Sequence, residues 1–77
     1  MRPVWFKRTI VRPVTDFERE AVRHVQRILN CDVTGEMDET TISHIRGFQL
    51  LFGLRTTGML DDPTAERIES TRTYGSV

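Results

Sequence analysis

"FQLLFGLRTTGMLDDPT", residues 48–64, sets two glycines, two adjacent threonines and an Asp-Asp-Pro between apolar runs. Gly53 stands where a helix ending at Phe52 needs a residue that tolerates the left-handed region, and Leu54 behind it supplies the apolar contact that closes many such ends. "RTTG" then turns the chain again at Gly58, and Met59-Leu60 return to the core. Asp61 or Asp62 caps a new helix with Pro63 in its first turn, where a missing amide hydrogen costs nothing, and Ala65 and Ile68 face inward. Two reversals and a helix start this close together predict a bundle of short helices.

Upstream, Ile42, Ile45, Phe48, Gln49 and Phe52 recur at helical spacing, which predicts a helix from an Asp38 cap to Phe52. Gly47 inside it costs about 1 kcal/mol relative to alanine and implies close packing against a neighbouring backbone. "CDVTGEMD" is a tight connection in which Gly35 takes a positive φ. Before it, Thr15 and Glu18 form a capping box, and Phe17, Ala21, Val25, Ile28 and Leu29 make one apolar face of a helix ending near Asn30. "STRTYGSV" lacks periodicity and is expected to fray from residue 71. The fold class is all-α: a small orthogonal three-helix bundle over residues 15–70, preceded by an extended arm over 1–14 and followed by a tail over 71–77.

Length restricts this further. Seventy-seven residues, 38% hydrophobic and 29% charged, make one small globular core with no room for a deep substrate pocket. The single cysteine, Cys31, cannot close an internal disulfide and reads as a half-buried filler. With only His24 and His44 beside it there is no zinc ligand set, and no cofactor is expected. Val4-Trp5-Phe6 is broken at once by Lys7-Arg8, so neither an export signal nor a membrane span is expected.

Charge is unevenly distributed. Residues 1–15 carry Arg2, Lys7, Arg8 and Arg12 and no acid, whereas the remainder holds seven bases against eleven acids. Pro3 and Pro13, with Val4, Ile10, Val11 and Val14, make the arm extended rather than helical. It reads either as a flexible leader with a few residues folded back, as a nucleic-acid contact, or as a docking arm. Docking is favoured by Trp5 and Phe6 beside Lys7, Arg8 and Arg12, aromatic anchors combined with charge.

Residues 22–68 resemble the peptidoglycan-binding-like domain, a small three-helix module often attached to bacterial and phage cell-wall hydrolases. "VRHVQRIL" carries that family's V-x-x-L-Q-x-x-L pattern through Val22, Val25, Gln26 and Leu29. "TGEMDETTISHIRGFQ" supplies Gly35, Thr41, Ile45, Phe48 and Gln49, and "GLRTTGMLDDPT" supplies Gly53, Leu54, Thr57, Gly58, Asp61 and Thr64 without a gap. Thr34 stands where the family usually has aspartate and Asp38 where it has a second glycine. The resemblance implies binding of peptidoglycan in a shallow groove, with Thr34, Glu36, Arg46, Arg55 and Thr56 as candidate ligand contacts.

Catalysis is not expected. Asp61-Asp62 reads as a helix cap, Ser43 and His44 are sequence neighbours that point about 100° apart on a helix, and no phosphate-binding glycine loop is present. A DNA-binding reading needs a basic recognition helix, yet "DPTAERIES" holds more acid than base. Two functions follow. One is a non-catalytic cell-wall binding module. The other is a structural interaction protein fixed through its arm to a larger assembly, such as a phage capsid or tail.

Overall fold

The computed structural model describes backbone from residue 2 to residue 75 and side chains through residue 71. Helix α1, Asp16–Leu29, starts where its sequence demands: the Thr15 hydroxyl accepts from the Glu18 amide at 3.1 Å, while the Glu18 carboxylate accepts from the Thr15 and Val14 amides at 3.3 and 2.7 Å. These bonds satisfy donors that the first turn leaves unpaired, and they hold the Glu18 carboxyl below the usual carboxylate range, the Val14 amide being the largest cause. Helix α2, Glu39–Leu51, is capped in the same way by Asp38, whose carboxylate accepts from the Thr41 amide at 2.9 Å. Helix α3, Asp62–Gly75, starts with Asp61 accepting from the Thr64 amide. It continues past residue 71, where the sequence suggested fraying; residues 76–77 lie outside the described range.

Both connections leave their helix through a left-handed residue. After α2, Gly53 has φ 70°, its amide reaches Leu50 O, and the Leu54 amide reaches Gln49 O at 2.8 Å. After α1, Asn30 takes that place with φ 65°, its amide reaching Arg27 O and that of Cys31 reaching Gln26 O. This is the same paired closure of a helix end, once with glycine and once with the residue that best tolerates its absence.

The core draws Ala21, Val22 and Val25 from α1, Ile45 and Phe48 from α2, Ala65 and Ile68 from α3, and Leu60 from the second connection. The arm completes it. Phe6 and Ile10 are 2% and 3% exposed, and Ile10 exchanges two backbone hydrogen bonds with Leu60, at 2.9 and 3.1 Å. Trp5 bridges two helices, its ring 4.7 Å from that of His24 on α1 and its indole N–H donating to Glu69 on α3 at 2.8 Å. The arm is therefore extended but not a free leader: burying Phe6 and Ile10 recovers about 1.5–3 kcal/mol each, which a core this small has reason to use.

Two further expectations change. Phe17 does not enter the core; it is 37% exposed, with the Lys7 ammonium 4.4 Å above its ring. Gly47 does not mark a close backbone approach, since a Cβ placed there would meet nothing within 4 Å.

Beneath the fold lies a repeat. Gln26 and Gln49 are both fully buried, and the two N–H groups of each carboxamide are shared among acceptors 8, 10 and 15 residues onward. For Gln26 these are Thr34 Oγ1, Glu36 O and Thr41 Oγ1, at 3.0, 3.0 and 2.8 Å. For Gln49 they are Thr57 Oγ1, Met59 O and Thr64 Oγ1, at 3.0, 3.1 and 2.8 Å. Each carboxamide oxygen accepts from the turn glycine amide, Gly35 at 2.9 Å and Gly58 at 3.0 Å. One unit, helix plus returning turn plus the start of the next helix, is thus used twice, each time locked by a glutamine whose polar atoms are satisfied inside the protein.

Candidate ligand-binding site

The returning turns double back along the helices they leave, which brings an arginine against each turn glycine. A Cβ on Gly35 would lie 3.0 Å from Arg23 Nε, and one on Gly58 would lie 3.0 Å from Arg46 Nε and 3.2 Å from Ile42 Cγ2. Arg23 is occupied, donating to Glu20 at 2.9 Å. Arg46 opens instead onto a cleft of about 410 Å³ that it lines with Glu39, Ile42 and Ser43, residues sharing one face of α2 at helical spacing.

The five residues singled out as ligand contacts separate into two groups. Arg46 adjoins the second turn, which carries the exposed Arg55 and Thr56. Thr34 and Glu36 belong to the first turn. The Thr34 hydroxyl is already used inside that turn, accepting from Gln26 at 3.0 Å and from the Glu36 amide at 3.2 Å and donating to Asp38 at 3.2 Å. Asp38 in turn is held below the usual carboxylate range, chiefly by the Thr41 hydroxyl and amide. Thr34 is thus a turn-former on its bonding pattern, and Arg46 is the candidate whose surroundings leave room for a ligand.

The residues expected to dock a partner are likewise divided. Phe6 is in the core and Trp5 half-buried between α1 and α3, so neither projects as a free anchor. Lys7, Arg8 and Arg12 are exposed. Arg8 donates to Glu18 at 3.2 Å and lines a cleft of about 430 Å³ with Lys7, Ile10, Thr15 and Phe17, while Arg12 lines an adjoining shallow groove with Val11, Val14 and Met37. Burial raises the Cys31 thiol, in keeping with a packing role. Ser43 is not aligned with a base: the His44 ring Nδ1 lies 2.8 Å from Thr40 O on its own helix. Among the described residues no group of three or more His, Cys, Asp or Glu side chains is placed to hold a metal, and no helix is long and apolar enough to cross a membrane.

Reading the sequence missed Glu39 and Ser43, and it placed Gln49 on an apolar face without seeing its polar task. The signal was present: Gln26, Thr34, Gly35, Asp38 and Thr41 recur in the same order and spacing as Gln49, Thr57, Gly58, Asp61 and Thr64.

Comparison with known proteins agrees with the geometry. The model of a family described as a peptidoglycan binding domain matches residues 18–68, the span that contains both glutamine-locked units. No curated protein and no solved structure matches the chain.

Proposed function

Because this chain belongs to the peptidoglycan binding domain family, we propose that it is a non-catalytic cell-wall binding module whose ligand lies on the outer face of α2 and the second turn, against Arg46, Arg55 and Thr56. The observation that carries this reading is the coincidence of the family match with the two locked units, since the rigid turn beside Arg46 is what would present a fixed polar surface to a polymer. A shallow polar cleft suits sugars and peptide ends, which are recognised by a few placed hydrogen bonds rather than by deep burial. Co-sedimentation with insoluble peptidoglycan tests it. Retention in the pellet at low ionic strength is expected, and a protein left wholly in the supernatant refutes it.

The module would be carried by a larger assembly, a phage particle or a wall enzyme, through the outer side of its arm. Val4, Val11 and Val14 are 95%, 62% and 69% exposed there beside Lys7, Arg8 and Arg12, an apolar and cationic strip on a backbone that the core already holds still. Removing the arm would also remove Phe6 and Ile10 from the core, so the informative variant is Val11→Asp with Arg12→Glu. Loss of co-purification with the native assembly at an unchanged melting temperature supports docking, and full retention refutes it.

A further inference from the structure

The two units differ in charge in one systematic way. On α1, Asp16 pairs with Arg19 at 3.4 Å and Glu20 pairs with Arg23 at 2.9 Å. On α2 the corresponding positions are Glu39 with Ile42 and Ser43 with Arg46. The first pair has lost its cation and the second its anion, and among the described residues neither Glu39 nor Arg46 has an ion-pair partner. Both line the same cleft, with the Ser43 hydroxyl between them in sequence and on the same helix face. They stand seven positions apart, about 10 Å along the axis, and among the described residues no ion pair joins them. Glu39 makes the cleft unwelcoming to a simple anion, and Arg46 makes it unwelcoming to a simple cation.

We propose that this cleft binds a zwitterionic amino-acid head, its carboxylate on Arg46 and Ser43 and its ammonium on Glu39. In the cell wall such a head is the free end of a diaminodicarboxylic acid residue in an uncrosslinked stem peptide. This assignment rests on the peptidoglycan-binding reading and narrows it from the polymer at large to the peptide. A planar guanidinium can bind a carboxylate in a two-point fork, and a hydroxyl beside it adds a third donor. Mutual neutrality explains why both unpaired charges occur together: each would cost binding to the wrong ligand unless the other were answered.

The test uses the full chain and three preparations of insoluble peptidoglycan: untreated, with carboxylates amidated, and with amines acetylated. Untreated material is expected to bind, and either modification to weaken binding about tenfold. Arg46→Gln should lose the response to amidation, and Glu39→Gln the response to acetylation. Ser43→Glu, which restores to α2 the pairing that occupies Arg23 on α1, should weaken binding as much as Arg46→Gln does. Since all three positions are solvent-accessible, melting temperatures should stay within a few degrees of the parent. Binding to untreated material that is indifferent to both modifications and to all three substitutions overturns the zwitterion assignment while leaving peptidoglycan binding intact. Failure of the parent chain to bind untreated material overturns both.

Discussion

Gln49 shows how much one side chain can hold. Its carboxamide is fully buried and bonded to the hydroxyls of Thr57 and Thr64, the carbonyl of Met59 and the amide of Gly58. Gln49→Leu keeps the approximate volume but takes the partner from the Gly58 amide and the Met59 carbonyl, while the Thr57 and Thr64 hydroxyls keep their bonds to Asp61, and each buried polar group so orphaned costs about 1–3 kcal/mol. The expected loss in urea unfolding is therefore about 2–6 kcal/mol, a large share of what a domain of this size has. Gly58→Val should cost a few kcal/mol for two reasons: φ there is 73°, poorly tolerated by a β-branched residue, and the new Cβ would press on Arg46 and Ile42. An unchanged melting temperature for Gly58→Val would contradict the turn geometry. Gly35 would respond in the same direction, since its φ is 78° and Arg23 crowds it.

The helices themselves were legible because their ends are chemical statements. Thr15 with Glu18, Asp38, Asp61 before Pro63 and the left-handed Gly53 each state a boundary in local terms, and the structure places the boundaries there. Gly47 was misleading for the same reason in reverse. A glycine in a helix was read as making room for something, whereas it faces solvent and nothing approaches it. Gly47→Ala should accordingly stabilise the protein by about 0.5–1 kcal/mol through lower unfolded-state entropy and better helix propensity, seen as a higher melting temperature. The caps also predict a pH response. Glu18 and Asp38 both titrate lower folded than free, so their stabilisation is complete above the ordinary carboxylate range and is lost as pH falls through their folded values. The melting temperature should hold steady from neutrality to about pH 5 and fall below about pH 4. Glu18→Gln should lower it at neutral pH and flatten the acid limb.

At the level of the whole molecule, the arm and the site were the parts least readable in advance. Composition and charge distinguish residues 1–15 from the remainder, but Phe6 and Ile10 carry no periodicity that announces burial, because an extended segment laid across a bundle obeys the contours of its neighbours rather than a helical repeat. Ile10→Ala should cost about 2–5 kcal/mol, as for a core position rather than a tether, and guanidinium unfolding would measure it. Arg46 was nominated from a likeness, and its significance became visible only when α1 and α2 were compared position by position. The unpaired charges there are defined by what the other helix has, which no single stretch of sequence displays.

The backbone pairing of Ile10 with Leu60 also dictates an order of events. A ribosome delivers residue 10 long before the residues it will rest upon, and the acceptors of Arg2 and Trp5, namely Asp62 and Glu69, come later still. Phe6 and Ile10 must wait, uncovered, while fifty more residues are synthesised, because Leu60 is among the groups that cover them. A protein arrested short of α3 would thus lack Ala65 and Ile68, and would leave Phe6 and Ile10 less well covered, exposing apolar surface of the kind that makes unfinished chains prone to aggregate.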